Sequence, residues 1–170
     1  LAQMILCLEA DGYTNLGSPI FDQEYGQPNA LMELLNSGRD VPKAIIMLSD
    51  GAANRPNENS ACRYANDMAQ IAKNHGVEIF TIGYGIESDR CSRNETGIFD
   101  RMRVTDLLAS MATDSADDEG HCETQSEIDA ENADGDHFLC QPRGGDLESV
   151  FRIAATALST SVKLVQYPVE

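Results

Sequence analysis

The chain has 170 residues, of which 42% are apolar, 12 are basic and 28 are acidic, and its formal net charge is -16. This length and apolar content suit one hydrophobic core, so we predict a single domain, or part of one, over residues 1–170. The negative charge repels nucleic acid and anionic membranes, which excludes nucleic acid from the expected partners. No run of about 18 apolar residues is present, so no membrane span is predicted.

The first part of the chain is predicted to be helical in two places. Apolar spacing over Leu1–Leu8 indicates the last turns of an amphipathic helix, which the turn residues Asp11 and Gly12 end. A second, irregular helix is predicted from about Leu16 to Asn36, with Gly38 as its end.

The middle of the chain predicts a strand–helix–strand unit. Lys43–Ser49 is a continuous apolar run that ends at Asp50 and Gly51, which is typical of a buried parallel strand followed by a turn. An amphipathic helix follows from about Ser60 to Asn74, and a second buried strand covers Val77–Gly83. Together they form a right-handed βαβ unit.

Further elements are predicted downstream. Val104–Met111 has the apolar spacing of a short helix, and residues 113–136 are acidic and poor in apolar side chains, so we predict a loop insertion outside the core there. The last predicted elements are a strand over Asp136–Cys140, a helix over Leu147–Ser159 capped by Asp146, and a closing strand or tail over Lys163–Gln166.

The five cysteines predict disulfides rather than a metal centre. None of them forms a CxxC pair or a cluster with zinc spacing. Cys7 lies in an apolar run and is predicted to be a buried thiol. The other four lie in or beside loops and are Cys62, Cys91, Cys122 and Cys140. Disulfides point to an oxidising compartment, but the spacing of the cysteines leaves their pairing open.

Two polar turns are candidates for a metal site. They are Gly12–Asn15 and Ser49–Gly51, placed at strand ends or before a helix, where open α/β sheets bind ligands. The Thr14 hydroxyl and the Asp50 carboxylate are hard oxygen ligands suited to a magnesium-type ion, which needs further oxygens from elsewhere. The structural alternatives are that Thr14 caps the following helix and that Asp50 holds its turn.

Other candidate sites are weaker. The acidic stretch with Glu131, Asp134 and Asp136 suggests a calcium loop, but its spacing and Ala133 do not fit the EF-hand template, so we interpret it as a solvated acidic loop. No Ser-His-Asp order or nucleophile elbow is visible, so no catalytic residue is predicted.

The order of these motifs resembles the second half of a von Willebrand factor A (vWA) domain over nearly the whole chain. The resemblance rests on the Gly12–Asn15 turn, the apolar strand with Ser49–Gly51, the helix, and Val77–Gly85. It implies a Rossmann-like, three-layer α/β fold, with a mostly parallel central sheet flanked by helices and with the N-terminal part of the domain upstream of Leu1.

The vWA resemblance also implies a metal-ion-dependent adhesion site. In that family an Asp-x-Ser-x-Ser motif, a second-loop threonine and a third-loop aspartate hold the ion; Thr14 matches the threonine and Asp50 the aspartate. The Asp-x-Ser-x-Ser motif does not occur in this chain. Mg²⁺, or Mn²⁺ or Ca²⁺, is therefore expected only if that motif lies upstream, and this chain by itself carries a partial site.

The downstream residues are similar to those of bacterial vWA proteins associated with tight-adherence (Tad) pilus assembly, with the helix Leu107–Ala112 and the run Phe138–Pro142 as the matching segments. This similarity implies the disulfides Cys62–Cys91 and Cys122–Cys140. It also implies an extracytoplasmic protein, in the cell envelope or secreted, whose membrane anchor is outside this chain.

The function implied is a non-enzymatic protein-binding or adhesion module, whose protein partner offers an acidic group to the metal. A structural envelope scaffold with a degenerate site and a metal-dependent hydrolase are the alternatives. In vWA topology the first strand lies beside Lys43–Ser49, so a chain without that strand is expected to expose this apolar edge and to associate through it.

Overall fold

The computed structural model describes residues 12–22, 28–86, 88–114, 119–142 and 147–161. Four predicted features lie outside the described residues: the Leu1–Leu8 helix, the Cys7 thiol, the Asp146 cap and the Lys163–Gln166 segment. Among the helices of the described part, none has both the length and the apolar character needed to span a membrane.

The described strands form one parallel, open sheet. They are β1 (Lys43–Ser49), β2 (Val77–Tyr84) and β3 (Phe138–Gln141), with β2 in the middle. The register pairs Ser49 with Gly83, so β1 and β2 end at the same edge of the sheet. The predicted α/β class and the positions of all three strands are confirmed.

Helices cover both faces of this sheet. They are α1 (Ala30–Asn36), α2 (Ala61–Asn74), α3 (Val104–Met111), α4 (Gln125–Glu131) and α5 (Leu147–Ser161), with a short 3₁₀ helix at Gly97–Phe99. Successive strand residues point to opposite faces. Ile79 therefore faces the core beneath α2 and α3, whereas Phe80 faces Val150 and Ala154 of α5.

The predicted helices α2, α3 and α5 are confirmed at or within two residues of their expected bounds. Ala65, Ala69 and Ala72 of α2 are completely buried, and their small side chains let this helix lie close to the sheet. Gly76 follows α2 with a φ of +73°, a conformation that glycine adopts without strain, and so ends the helix.

The strand β1 is less buried than its sequence predicts. Ile46 is 38% exposed and Leu48 is 42% exposed, although both lie in the continuous apolar run. They share a face with Phe80 and Ile82 of β2, their partners in the register. On that face α5 packs against β2 and β3, and no described strand pairs with the outer edge of β1. The prediction of a fully buried strand is therefore wrong for this face.

The helix predicted over Leu16–Asn36 is also wrong in its extent. In the described residues of this segment the helix begins at Ala30, and the side chain of Asn29 caps it by accepting a hydrogen bond from Met32 N (3.0 Å). Residues 16–22 contain a turn, in which Ile20 N donates to Gly17 O (2.9 Å). Proline and asparagine at positions 28 and 29 favour a helix start rather than a continuous helix.

The acidic segment 113–136 is not only a loop. It contains α4, where Thr124 accepts a hydrogen bond from Glu127 N (3.3 Å) and the Glu127 carboxylate accepts one from Thr124 N (2.8 Å), forming a capping box. Ile128 is buried in the main core. The prediction of a loop outside the core is wrong here, because this local capping and one apolar contact stabilise a short helix.

Candidate functional site

One of the two polar turns predicted as metal-binding loops, Gly12–Asn15, contacts the segment that follows the other. Asn54, in this segment after β1, makes the contact: its Oδ1 accepts a hydrogen bond from Thr14 N (2.8 Å) and its Nδ2 donates one to Gly12 O (3.0 Å). Asn54 N also donates to Thr14 O (2.9 Å). The Gly12–Asn15 turn is thus fixed to the loop that follows β1, at the carboxyl end of the sheet, where α/β folds bind ligands.

Neither proposed ligand is used to hold its own turn. Asn15, not Thr14, supports the following turn, because its Oδ1 accepts a hydrogen bond from Ser18 N (3.0 Å). Ser49, not Asp50, closes the turn after β1 by donating from Oγ to Gly51 O (2.8 Å). Within the described part of the chain, the Thr14 hydroxyl and the exposed Asp50 carboxylate form no hydrogen bond or ion pair. No described residue occupies either oxygen.

A second acidic residue, Asp89, lies at this end of the sheet and was not found from the sequence. A methyl group placed on Gly51 would lie 3.7 Å from Asp89 Oδ2, so this carboxylate faces the turn after β1. Asp89 lies just beyond the end of β2, which is the neighbour of β1. The sequence does place Asp89 after the second predicted strand. Because neighbouring parallel strands end at the same edge of a sheet, this position could have predicted that Asp89 lies near Asp50.

A stacked aromatic and cationic pair lies next to Thr14. The guanidinium carbon of Arg55 is 3.8 Å from the centroid of the Tyr13 ring. The backbone of Arg55 donates from N to Thr14 O (3.2 Å), which fixes the pair to the same turn. Tyr13 is 62% exposed, so this pair forms part of the surface around the turns.

A separate acidic cluster occurs between α4 and β3. Carboxylate oxygens of Glu131, Asp134 and Asp136 all lie within 4.8 Å of one another. Asp134 and Asp136 also shape the turn into β3, accepting hydrogen bonds from Asp136 N (3.0 Å) and Phe138 N (2.7 Å). Carboxylates grouped in this way could hold a cation such as Ca²⁺. The sequence interpretation of these residues as a merely solvated loop missed their proximity, because it tested only the EF-hand spacing.

Glu131 is the unusual member of this cluster, because it is only 6% exposed. Burial first, and then the charges of Asp136 and Asp134, raise the pKa of Glu131 to about 7, against the lowering effect of the hydrogen bond donated by His121 N (2.9 Å). The cluster is therefore partly protonated near neutral pH and becomes more negative as the pH rises.

The structure contains two disulfides, and they are the pairs that the resemblance implied. Cys62–Cys91 joins the start of α2 to the segment after β2, and Cys122–Cys140 joins the segment before α4 to β3. All four cysteines are buried. Disulfides of this kind are typical of proteins in oxidising compartments.

A comparison of the chain with protein-family models, with curated proteins and with solved structures finds no match. The three parallel strands and their flanking helices define an α/β fold consistent with the Rossmann-like class. This class rests on the topology of the chain itself.

Proposed function

We propose that the chain is part of a vWA-type module that binds a protein partner through a cation held at the carboxyl end of its sheet, and that it is a binding module rather than an enzyme. The observation that carries this proposal is the Asn54 bridge, which joins the Thr14 turn to the loop after β1. It fixes the turn that contains Thr14 to the loop that begins at Asp50.

The chemistry of the turns supports the same proposal. A hydroxyl and a carboxylate, at Thr14 and Asp50, have no partner among the described residues, and Asp89 adds a second carboxylate nearby. Hard cations prefer such oxygens, and Mg²⁺ retains positions for water or for an incoming carboxylate. By the family resemblance, an Asp-x-Ser-x-Ser strand upstream of Leu1 would supply the remaining ligands, and an acidic side chain of the partner would complete the coordination.

The proposed location is the bacterial cell envelope or the extracellular space, in a protein of the Tad-pilus-associated type. Two buried disulfides support an oxidising, extracytoplasmic location. The pilus association rests on the resemblance noted in the segments Leu107–Ala112 and Phe138–Pro142.

The test is calorimetric titration of Mg²⁺, Mn²⁺ and Ca²⁺ into the protein at its natural length and into two variants. We expect Asp50→Ala to weaken cation binding at least about tenfold, because it removes one charged ligand. The matched variant D134N/D136N, which removes two carboxylate charges from the acidic cluster, should bind the cation like the unchanged protein.

Equal binding by the Asp50→Ala variant and the unchanged protein would rule out the proposed site. Loss of binding only in D134N/D136N would assign the cation to the acidic cluster between α4 and β3 instead.

A further inference from the structure

The surface beside Thr14 carries a preorganised arginine. The Arg55 guanidinium lies over the Tyr13 ring, with its carbon 3.8 Å from the ring centroid. Its backbone hydrogen bond to Thr14 O ties this pair to the proposed ligand turn. Stacking on an aromatic face restricts the guanidinium plane, so less side-chain entropy is lost when its N–H groups bind a partner.

Most of the donors of this arginine have no acceptor in the described part of the chain. Nη1 donates weakly to Asn54 O (3.4 Å), and Arg55 forms no ion pair with another described residue. A guanidinium has five N–H donors arranged as a planar fork, which matches the two oxygens of a carboxylate. The structure therefore places a positive group, most of whose donors have no acceptor among the described residues, beside the Gly12–Asn15 turn.

The charge of the whole chain gives this group a specific use. At a formal net charge of -16, the protein repels an approaching acidic partner. An acidic ligand therefore needs local positive charge near the point where it binds. Besides the cation, Arg55 supplies such a charge next to Thr14.

We propose that Tyr13 and Arg55 form a second contact for an acidic segment of a protein partner. One carboxylate of that segment binds the Arg55 fork while its aliphatic part packs on the exposed Tyr13 ring, beside the acidic group that the cation would hold. The class of partner rests on the proposed function, whereas the contact with Arg55 does not require a cation.

The contact can be tested by NMR titration of the isotope-labelled chain in EDTA. The probe is an N-acetylated, C-amidated pentaglutamate peptide, and pentaglutamine is the uncharged control. We expect the Arg55 Nε–H and Tyr13 ring signals to shift with pentaglutamate and not with pentaglutamine. Arg55→Lys, which retains the charge but not the fork, should weaken binding by at least about fivefold.

The control is Arg39→Ala, which removes an exposed arginine from another loop and should leave the peptide affinity unchanged. The unperturbed spectrum outside the turns checks that each variant is folded. Equal effects of Arg55→Ala and Arg39→Ala, or no shift of the Arg55 signal, would overturn the proposal.

The two proposals fail separately in these experiments. Peptide binding through Arg55 without any Asp50-dependent cation binding would keep this contact and remove the proposed function. Cation binding through Asp50 with no response of Arg55 to pentaglutamate would remove this contact and keep the proposed function.

Discussion

At the carboxyl end of the sheet, some polar side chains fix the turns, whereas others have no partner among the described residues. Asn54, Asn15 and Ser49 use their polar groups to fix the turns. This leaves the Thr14 hydroxyl and the Asp50 carboxylate without a described partner. Short polar side chains commonly form hydrogen bonds with the backbone of turns. Thr14 and Asp50, whose side chains form none among the described residues, are therefore candidates for binding.

The buried carboxylate of Glu131 predicts an unusual pH dependence of stability. Its pKa in the folded chain is about 7 against an ordinary value of 4.5, so the folded state retains this proton between those two values. The resulting stabilisation is fully present below pH 4.5 and is lost as the pH rises through 7. The loss is on the order of 3 kcal/mol in the free energy of unfolding.

Urea denaturation in EDTA at several pH values between 5 and 8 checks this expectation. Relative to the unchanged chain, Glu131→Gln should become progressively more stable as the pH rises, because the amide does not ionise. Asp129→Asn, on the exposed side of α4, should leave the dependence of the free energy of unfolding on pH unchanged. Parallel stability curves for Glu131→Gln and the unchanged chain would contradict the assignment.

The helix α4 is stabilised by contacts with its neighbours. It has seven residues, which is too short to be stable alone. Its capping box stabilises the first turn, and Asn132 at its end exchanges hydrogen bonds with the Cys140 backbone (2.8 and 2.9 Å). The Cys122–Cys140 disulfide then holds the segment before α4 against β3.

Removing this disulfide should destabilise the chain and loosen α4. The bond joins cysteines 18 residues apart, and the loop-closure entropy corresponds to a loss of about 3 kcal/mol in the Cys122→Ala/Cys140→Ala variant. Urea denaturation measures the loss, and hydrogen exchange should become faster at the amides of α4. The Cys122→Ala single variant separates loss of the bond from loss of the second thiol. An unchanged denaturation midpoint in the double variant would contradict the expectation.

At the scale of the whole molecule, one edge of the sheet has no pairing strand among the described residues. Strand β1 lies at its edge with Ile46 and Leu48 exposed, and the segment Lys43–Ser49 contains no acidic residue and no proline. Charged residues and prolines are the usual protection of an edge strand. Lys43, at its start, is the one charged residue of the strand.

We therefore expect the 170-residue chain to associate through β1. Light scattering over a range of concentrations should detect a mass above that of the monomer, and Ile46→Lys should shift the chain towards the monomer because a charge would enter an apolar contact. Ile98→Lys, at an isoleucine that is 77% exposed elsewhere, is the matched control and should have no effect. A stable, monodisperse monomer would contradict this expectation.

Much of the fold followed from local sequence signals. The runs Lys43–Ser49 and Val77–Gly83 and the helix ended by Gly76 were placed correctly, because periodicity and glycine chemistry act over a few residues. The capping pattern at Thr124 was equally local but was overlooked in an acidic segment.

The sequence by itself determined the three strands, the helices α2, α3 and α5, the order of these elements, and the chemical types of Thr14 and Asp50. Only the tertiary structure decided that Asn54 bonds the Gly12–Asn15 turn, that Asp89 faces Gly51, that Arg55 stacks on Tyr13, and that β1 is left half exposed. The physical reason is distance along the chain: these contacts join residues 38 to 42 positions apart or depend on which helix covers which strand. Neither is encoded in the periodicity of a single segment.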